Sequence, residues 1–285
     1  MKDKSTGTLY LVATPIGNLA DITYRAVEIL RAVDLIAAED TRHSRILLDH
    51  YGVSVPVTSY HEHNKHEKAE VLLAKLRNGA DVALITDAGT PAISDPGEIM
   101  VSLCKAEGIP VTSLPGPSAV ITALTLSGLS ARSFAFEGFL PSDNTERAAV
   151  LERLCREERT IVLYEAPHRM KKTLALLLET LGDRRICICR ELTKVHEEAP
   201  LMLLSEAAAL YEEQEPKGEF VLVLEGMDMA KAAEEARSNW QEMSLADHLQ
   251  LYLDRGLDKK EAMKKMAADR GCSRRDIYNG LLEDD

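Results

Sequence analysis

Short runs that are apolar on nearly every residue alternate with segments of helical spacing over the first 120 positions, and this leaves little choice of architecture. "TLYLVAT" (8–14) reads as a strand, and "TYRAVEILRAVD" (23–34) sets Ala26, Val27, Leu30 and Val33 at helical intervals. "LIAAED" (35–40) is the next strand and "SRILLDHY" (44–51) the next helix. Then come strand "VPVTSY" (55–60), a helix over 68–79, strand "DVALITD" (81–87), a helix over 97–108 and strand "IPVTSLPG" (109–116). A strand apolar on both faces has to be covered on both, so the alternation predicts a mostly parallel sheet between helices. Such sheets bind ligands beyond the carboxyl ends of their strands. Three strands here end in loops of small residues, Gly and Pro: "TPIGN" (14–18), "DAGTPAISDPG" (87–97) and "LPGPSA" (114–119). One pocket can collect all three. None of them has the GxGxxG or GK[ST] pattern that cradles phosphate.

A second unit follows, with strands at "SFAFEGFLP" (133–141), "TIVLYEAPHR" (160–169), "RRICICREL" (184–192) and "EFVLVLEG" (219–226) and a helix over 169–182. From Met227 to Met243 the composition turns to Ala, Glu, Lys, Ser and Asn, which suits a linker or a solvated helix. The last stretch reads as three capped helices, opened by Ser244, Asp258 and Ser273, with Gly256 and Gly271 as stops. The expected division is therefore an N-terminal α/β domain (1–118), a second α/β domain (119–230), a linker (231–243) and a small helix-turn-helix-like domain (244–285).

The 285 residues are 45% hydrophobic, enough for more than one buried core. No apolar run approaches the roughly 18 residues of a membrane helix, and the N-terminus lacks a signal-peptide pattern. A cytoplasmic protein with no membrane partner is expected. The five cysteines are odd in number and mostly within apolar segments, which favours reduced core thiols; Cys187 and Cys189 share one strand face. The net charge of −12 argues against a protein that coats nucleic acid indiscriminately. Locally the sign reverses. Residues 259–275 hold seven basic side chains against two acidic, a net of +5. These helices are open to two uses, RNA contact or a solvated cap or dimerisation element.

"LVATPIGNLADIT", "AAEDTR", "ITDAGTPAISDPG", "LPGPSA", "EGFLP", "YEAPHR" and "KGEFVLVLEG" occur in this order across residues 11–226. Together they resemble the tetrapyrrole-methylase-like S-adenosylmethionine-dependent methyltransferases, and within them the branch that 2′-O-methylates a cytidine of small-subunit ribosomal RNA. The resemblance implies two α/β domains with S-adenosylmethionine in the cleft between them, a homodimer, and ribosomal RNA or an assembled small subunit as the substrate. It also implies cofactor contacts at Pro15 and Gly17, at Asp87, Gly89, Thr90 and Ser94, at Ser118 and Ala119, at Ala166 and Pro167, and at Gly218. The ligand has no phosphates, so the missing phosphate cradle is consistent with it.

Several of these residues have a second reading. Asp87 takes the ribose hydroxyls or ammonium of the ligand, or caps its own turn; Thr90 and Ser94 bond the ligand or the loop; Asp95 faces the ligand or caps the next helix. Methyl transfer to a ribose hydroxyl needs in-line approach and a group to take the proton, for which Glu39, Asp40, Glu165, His168 and Asp95 are candidates. Arg42 and Arg169 suit flanking phosphates bidentately, unless they pair with Glu39 or Asp40 and with Glu165. His61 and Asn64 are placed on the RNA side of the cleft by the same resemblance. Lys259, Lys260, Lys264, Lys265, Arg274 and Arg275 are the phosphate contacts if the C-terminal helices meet RNA. "YHEHNKHEK" (60–68) holds three histidines, but its spacing fits neither HExxH nor a zinc finger, so no metal is expected. Two other functions stay open: methylation of a small macrocycle such as a precorrin, and non-enzymatic RNA binding in ribosome assembly.

Overall fold

The computed structural model describes residues 6–228, 240 and 243–283. The chain forms two compact units, Met1–Glu225 and Gly226–Asp285.

The first sheet of the larger unit contains β1 (Leu9–Val12), β2 (Leu35–Ala38), β3 (Val57–Ser59), β4 (Val82–Ile85) and β5 (Val111–Leu114). Its order is β3-β2-β4-β1-β5 and every pairing is parallel. All four residues of β2 and of β4 are buried. Alternate residues go to opposite faces. Ile36, Ala38, Ala83 and Ile85 pack under α1 (Tyr24–Ala32) and α2 (Thr41–His50), while Leu35, Ala37, Val82 and Leu84 pack under α3 (Lys65–Arg77) and α4 (Gly97–Ala106). The apolar runs and the covered parallel sheet thus agree with the sequence pattern. The strand order also sets β1 between β4 and β5, so three carboxyl ends stand side by side.

The second sheet is mixed. It holds β6 (Phe134–Phe139), β7 (Thr160–Glu165), β8 (Arg185–Arg190), β9 (Leu201–Leu203) and β10 (Phe220–Leu224), in the order β6-β7-β10-β8-β9. Only β6 and β7 are parallel; β10 runs antiparallel to β7 and β8, and β9 to β8. Strands buried on both faces look alike whichever way their neighbours run, so direction was not readable from apolar content. One face of β10 (Phe220, Leu222, Leu224) packs with residues of α6 (Asn144–Cys155), α7 (Met170–Leu181) and α8 (Leu204–Glu213). The other face (Val221, Val223) packs with Cys187, Cys189 and α5 (Ala119–Leu126). Helices α5, α6 and α8 and the three-residue β9 were not expected, although the Asp143 carboxylate caps α6, accepting from the Thr145 and Glu146 amides at 2.8 and 3.0 Å. "TIVLYEAPHR" is a strand only to Glu165, since Pro167 opens a single 3-10 turn before α7.

The smaller unit consists, among the described residues, of α9 (Leu245–Asp254), α10 (Lys259–Arg270) and α11 (Arg274–Glu283) around Tyr252, Met263, Met266 and Ile277. The expected caps form. The Ser244 hydroxyl accepts from the Asp247 amide at 3.0 Å, the Asp258 carboxylate from the Glu261 amide at 2.8 Å, and Gly271 ends α10 at φ +65°. The expected linker, 231–243, lies outside the described residues apart from 240 and 243. Among the described residues no helix is long and apolar enough to cross a membrane.

His248 is fully buried in this unit, and Arg270 Nε donates to its Nδ1 at 3.1 Å. Burial and the guanidinium charge push its pKa below the ordinary 6.5. The unfolded chain therefore takes up the proton first, and the stability contributed by neutral His248 is complete above about 6.5 and lost as the pH falls below it. Protection factors of the α10 amides, that is exchange rates corrected for the intrinsic pH dependence of amide exchange, should fall as the pH is lowered through about 6.5, and His248→Gln should flatten that dependence.

Candidate active site

The loops that follow β1, β4 and β5 are bonded to one another. Thr14 and Gly89 exchange two backbone hydrogen bonds of 3.0 Å, and Thr14 Oγ1 donates to the Thr86 carbonyl at 3.1 Å. Thr90 Oγ1 donates to the Pro117 carbonyl at 2.9 Å, which ties in the third loop. Gly116 has to be glycine for that loop to lie down: a Cβ there would stand 2.7 Å from Ala13 Cβ. Gly89 adopts φ +82°, a region that favours glycine.

Asp95 organises the rest of the second loop. Its two carboxylate oxygens accept from the Ala92 and Gly97 amides, each at 2.8 Å. The first bond holds Ala92 at φ +66°, a strained backbone for a residue with a Cβ. Burial raises the Asp95 pKa. Both of its roles have a footing in the structure, since it accepts from the first amide of α4 and also lines the cleft. Asp87 also caps, but not its own turn: its Oδ1 accepts from the Asp40 amide at 3.0 Å, across from the loop after β2. Desolvation raises its pKa, and the nearby charge of Glu39 adds to the effect.

These loops form one wall of a cleft of about 410 Å³, and the ends of β7 and β10 form the other. Asp87, Gly89, Thr90, Ser94, Ser118, Ala119, Ala166 and Pro167 line it, together with Glu39 and Glu165. A second cavity of about 280 Å³ adjoins it and takes Pro15 and Gly17. Asp87, Thr86 and Ile16 belong to both walls. The sequence reading missed the apolar part of the lining, Ile93, Phe139 and Tyr164. Phe139 and Tyr164 sit inside the motifs "EGFLP" and "YEAPHR", which was the available signal. Tyr164 packs edge-on to Phe136 with ring centroids 5.0 Å apart, and burial pushes its hydroxyl up to about 12.

The candidate carboxylates differ in what already holds them. Glu165 is 3% exposed and accepts from Thr173 Oγ1 at 2.5 Å and the Ala166 amide at 2.8 Å, with Arg169 Nε 3.3 Å away. Arg169 also donates to the Leu140 carbonyl, so it joins β7 to the end of β6. Asp40 is the N-cap of α2, and Arg42 beside it holds its carboxyl below the usual range. Glu39 takes one side-chain bond, from Thr86 Oγ1 at 2.6 Å.

The remaining expected residues lie elsewhere. His168 is exposed in the 3-10 turn and lines neither cavity. His61 and Asn64 are bonded to each other in the turn before α3: Asn64 Oδ1 accepts from the His61 amide at 2.9 Å, and Nδ2 donates to Ser59 Oγ at 3.1 Å. Gly218, at φ +96°, packs so closely on Glu191 that a Cβ would stand 2.7 Å from its Oε1. Lys259, Lys260, Lys264, Lys265, Arg274 and Arg275 are exposed on α10 and α11. Among the described residues no group of three or more His, Cys, Asp or Glu is placed to hold a metal ion.

Residues 8–208 match the family model of the tetrapyrrole (corrin/porphyrin) methylases. The chain is 48% identical over 278 residues to the ribosomal RNA small subunit methyltransferase I of Synechocystis sp., covering 97% of this chain and 98% of that one. The protein of that name from Bacillus subtilis is 44% identical, over 96% and 93%. Among solved structures, diphthine synthase is similar with a TM-score of 0.61 and 14% identity, over 77% of this chain and 90% of that one. The uroporphyrin-III C-methyl transferase of Thermus thermophilus, complexed with S-adenyl homocysteine, is similar with a TM-score of 0.56 and 21% identity, over 77% and 97%. At such identities the structural likeness speaks for the fold alone.

Asp95→Ala should cost about 1–3 kcal/mol, because it strips two part-buried amides of their acceptor. Urea unfolding at pH 7 measures the loss, and Asp95→Asn, which keeps one acceptor, should fall between the two.

Proposed function

The chain belongs to the tetrapyrrole (corrin/porphyrin) methylase family, and from that premise we propose that it methylates the 2′-hydroxyl of a cytidine in small-subunit ribosomal RNA, using S-adenosylmethionine. The observation that carries the reading is the cleft: three bonded loops without a phosphate cradle, facing the ends of β7 and β10 and opening into a second cavity. The printed names of relatives at 48% and 44% identity over nearly the whole chain support ribosomal RNA of the small subunit as the substrate class.

The lining fits the cofactor. Ile93 and Phe139, 52% and 51% exposed, offer apolar surface to an adenine, and the backbone at Gly89 allows close approach. Asp87 and Glu39 supply negative charge for an ammonium or a sulfonium. When bound, S-adenosylmethionine supplies an electrophilic methyl group. The protein's share is to hold the ribose hydroxyl in line with that methyl and to receive the proton it loses. Glu165 and Asp95 already accept several donors, and Arg42 lowers the basicity of Asp40. That leaves Glu39, steadied by Thr86, as the best-placed proton acceptor, with Asp87 beside it.

Arg42 pairs with Asp40, its Nη2 3.3 Å from Oδ2, but its side chain is 91% exposed, and with the exposed basic residues of α10 and α11 it is our proposed phosphate contact, which would fasten RNA without reading its sequence. We further infer a cytoplasmic homodimer, as the family resemblance suggests.

Ribosomal RNA from cells lacking the protein should have lost one 2′-O-methylcytidine of the small subunit, and nucleoside analysis should find it restored by the wild-type gene. Full retention of every such nucleoside would remove the reading. Asp87→Ala should weaken S-adenosylmethionine binding by about 1–3 kcal/mol in calorimetry, the usual effect of losing a charged hydrogen-bond partner.

A further inference from the structure

We propose that the second cavity seats the nucleoside to be methylated, as an unstacked pyrimidine nucleoside, and that the Ser44 hydroxyl is one of the groups that hold it. The inference rests on the reading of the chain as an RNA ribose methyltransferase. The cavity lies between the loop after β1 and the first turns of α2, and its wall is continuous with the larger cleft through Ile16, Thr86 and Asp87. A methyl donor in one and an acceptor in the other meet at that shared wall.

Ser44 marks the cavity as a binding site. It is 3% exposed, it lines the cavity, and its Oγ has no hydrogen-bond partner. A helical serine ordinarily satisfies itself on the carbonyl four residues earlier. Here the Asp40 carbonyl accepts the Ser44 amide at 3.0 Å, and the hydroxyl makes no such bond. A buried hydroxyl without a partner is costly, and such groups are few in folded proteins. A ligand that supplies the partner accounts for its being there.

The rest of the lining selects the chemistry of that ligand. Leu19 and Ile46 are 38% and 67% exposed, and with Leu47 they present apolar surface to the flat face of an unstacked base. The one lysine in the wall, Lys194, has its Nζ 2.9 Å from both Glu191 and Glu219. Its charge is compensated inside the protein, and Asp87 adds a further carboxylate, so the cavity suits an uncharged base and ribose and disfavours a phosphate. The flanking phosphates then fall outside, where Arg42 is exposed at the start of the same helix.

Ser44→Ala and Ile46→Asp in the full-length protein test the proposal, with three measurements: thermal denaturation, S-adenosylhomocysteine calorimetry, and steady-state methylation of small-subunit RNA. Because Ser44→Ala removes an unpaired hydroxyl, its Tm should equal or exceed that of the wild type. Its S-adenosylhomocysteine affinity should be unchanged, while KM for RNA rises about tenfold, the effect of one lost hydrogen bond to the substrate. Ile46→Asp, on an exposed position, should fold normally and raise the same KM. A wild type active on RNA whose two variants keep its KM overturns this proposal alone. A wild type that leaves RNA unmethylated overturns the underlying reading as well. A fall in Tm for Ser44→Ala would mean that the hydroxyl already serves the fold, and would overturn its assignment to the substrate.

Discussion

Two backbone hydrogen bonds between Thr14 and Gly89 hold the working end of the molecule together. They turn the exits of β1 and β4, which a parallel sheet only places side by side, into a short antiparallel ladder. The consequence reaches beyond the loops. Ile16, two residues further on, is 8% exposed and packs with Val120, Leu124, Val162 and Val221 in the core shared by α5 and the second sheet. The loop after β1 is thus fastened to the first sheet by hydrogen bonds and to the second by apolar burial. The separation of the cleft walls follows from that double attachment.

Within the cleft, chemistry is assigned by what each carboxylate is already doing. Five acidic residues stand at strand ends within reach of the loops, and as side chains they are interchangeable on paper. Their partners separate them. Asp95 spends both oxygens on the backbone, Glu165 is held by a hydroxyl, an amide and a guanidinium, and Asp40 caps a helix. Oxygens already engaged by donors are not free to meet a substrate hydroxyl, so Glu39, with one side-chain partner, and Asp87, with one backbone partner, stand apart. The same logic, applied to a hydroxyl, singles out Ser44. An acceptor with too many partners is structural, and a buried donor with none is waiting for one.

The first sheet was legible because its strands are buried on both faces and its helices are amphipathic, which are local patterns. The three small-residue loops were legible as a group for a related reason: Gly89 and Gly116 stand where a side chain would collide or strain, and such positions show in composition. The C-terminal helices announced themselves by their caps. The second sheet was harder. Helices α5, α6 and α8 have ordinary sequences stabilised by the cores they complete, and the antiparallel course of β10 depends on neighbours dozens of residues away. His61 and Asn64 are placed on the RNA side of the cleft by the resemblance, and the structure bonds them to each other in one turn that lines neither cavity.

By itself, then, the sequence determined the layered α/β class, the presence of three small-residue loops at strand ends, the excess of basic residues near the C-terminus, and the family that its ordered motifs resemble. All of these rest on residues close together in the chain, where periodicity and turn chemistry act. Tertiary structure alone decided that Asp87 caps the loop after β2, that Arg169 serves Glu165 and Leu140, and that Ser44 is left without a partner beside a second cavity. Hydrogen bonding and desolvation decide such roles. They are set between residues brought together only by folding, such as Asp40 with Asp87 or Leu140 with Arg169, and no local pattern encodes which donors a given carboxylate will find.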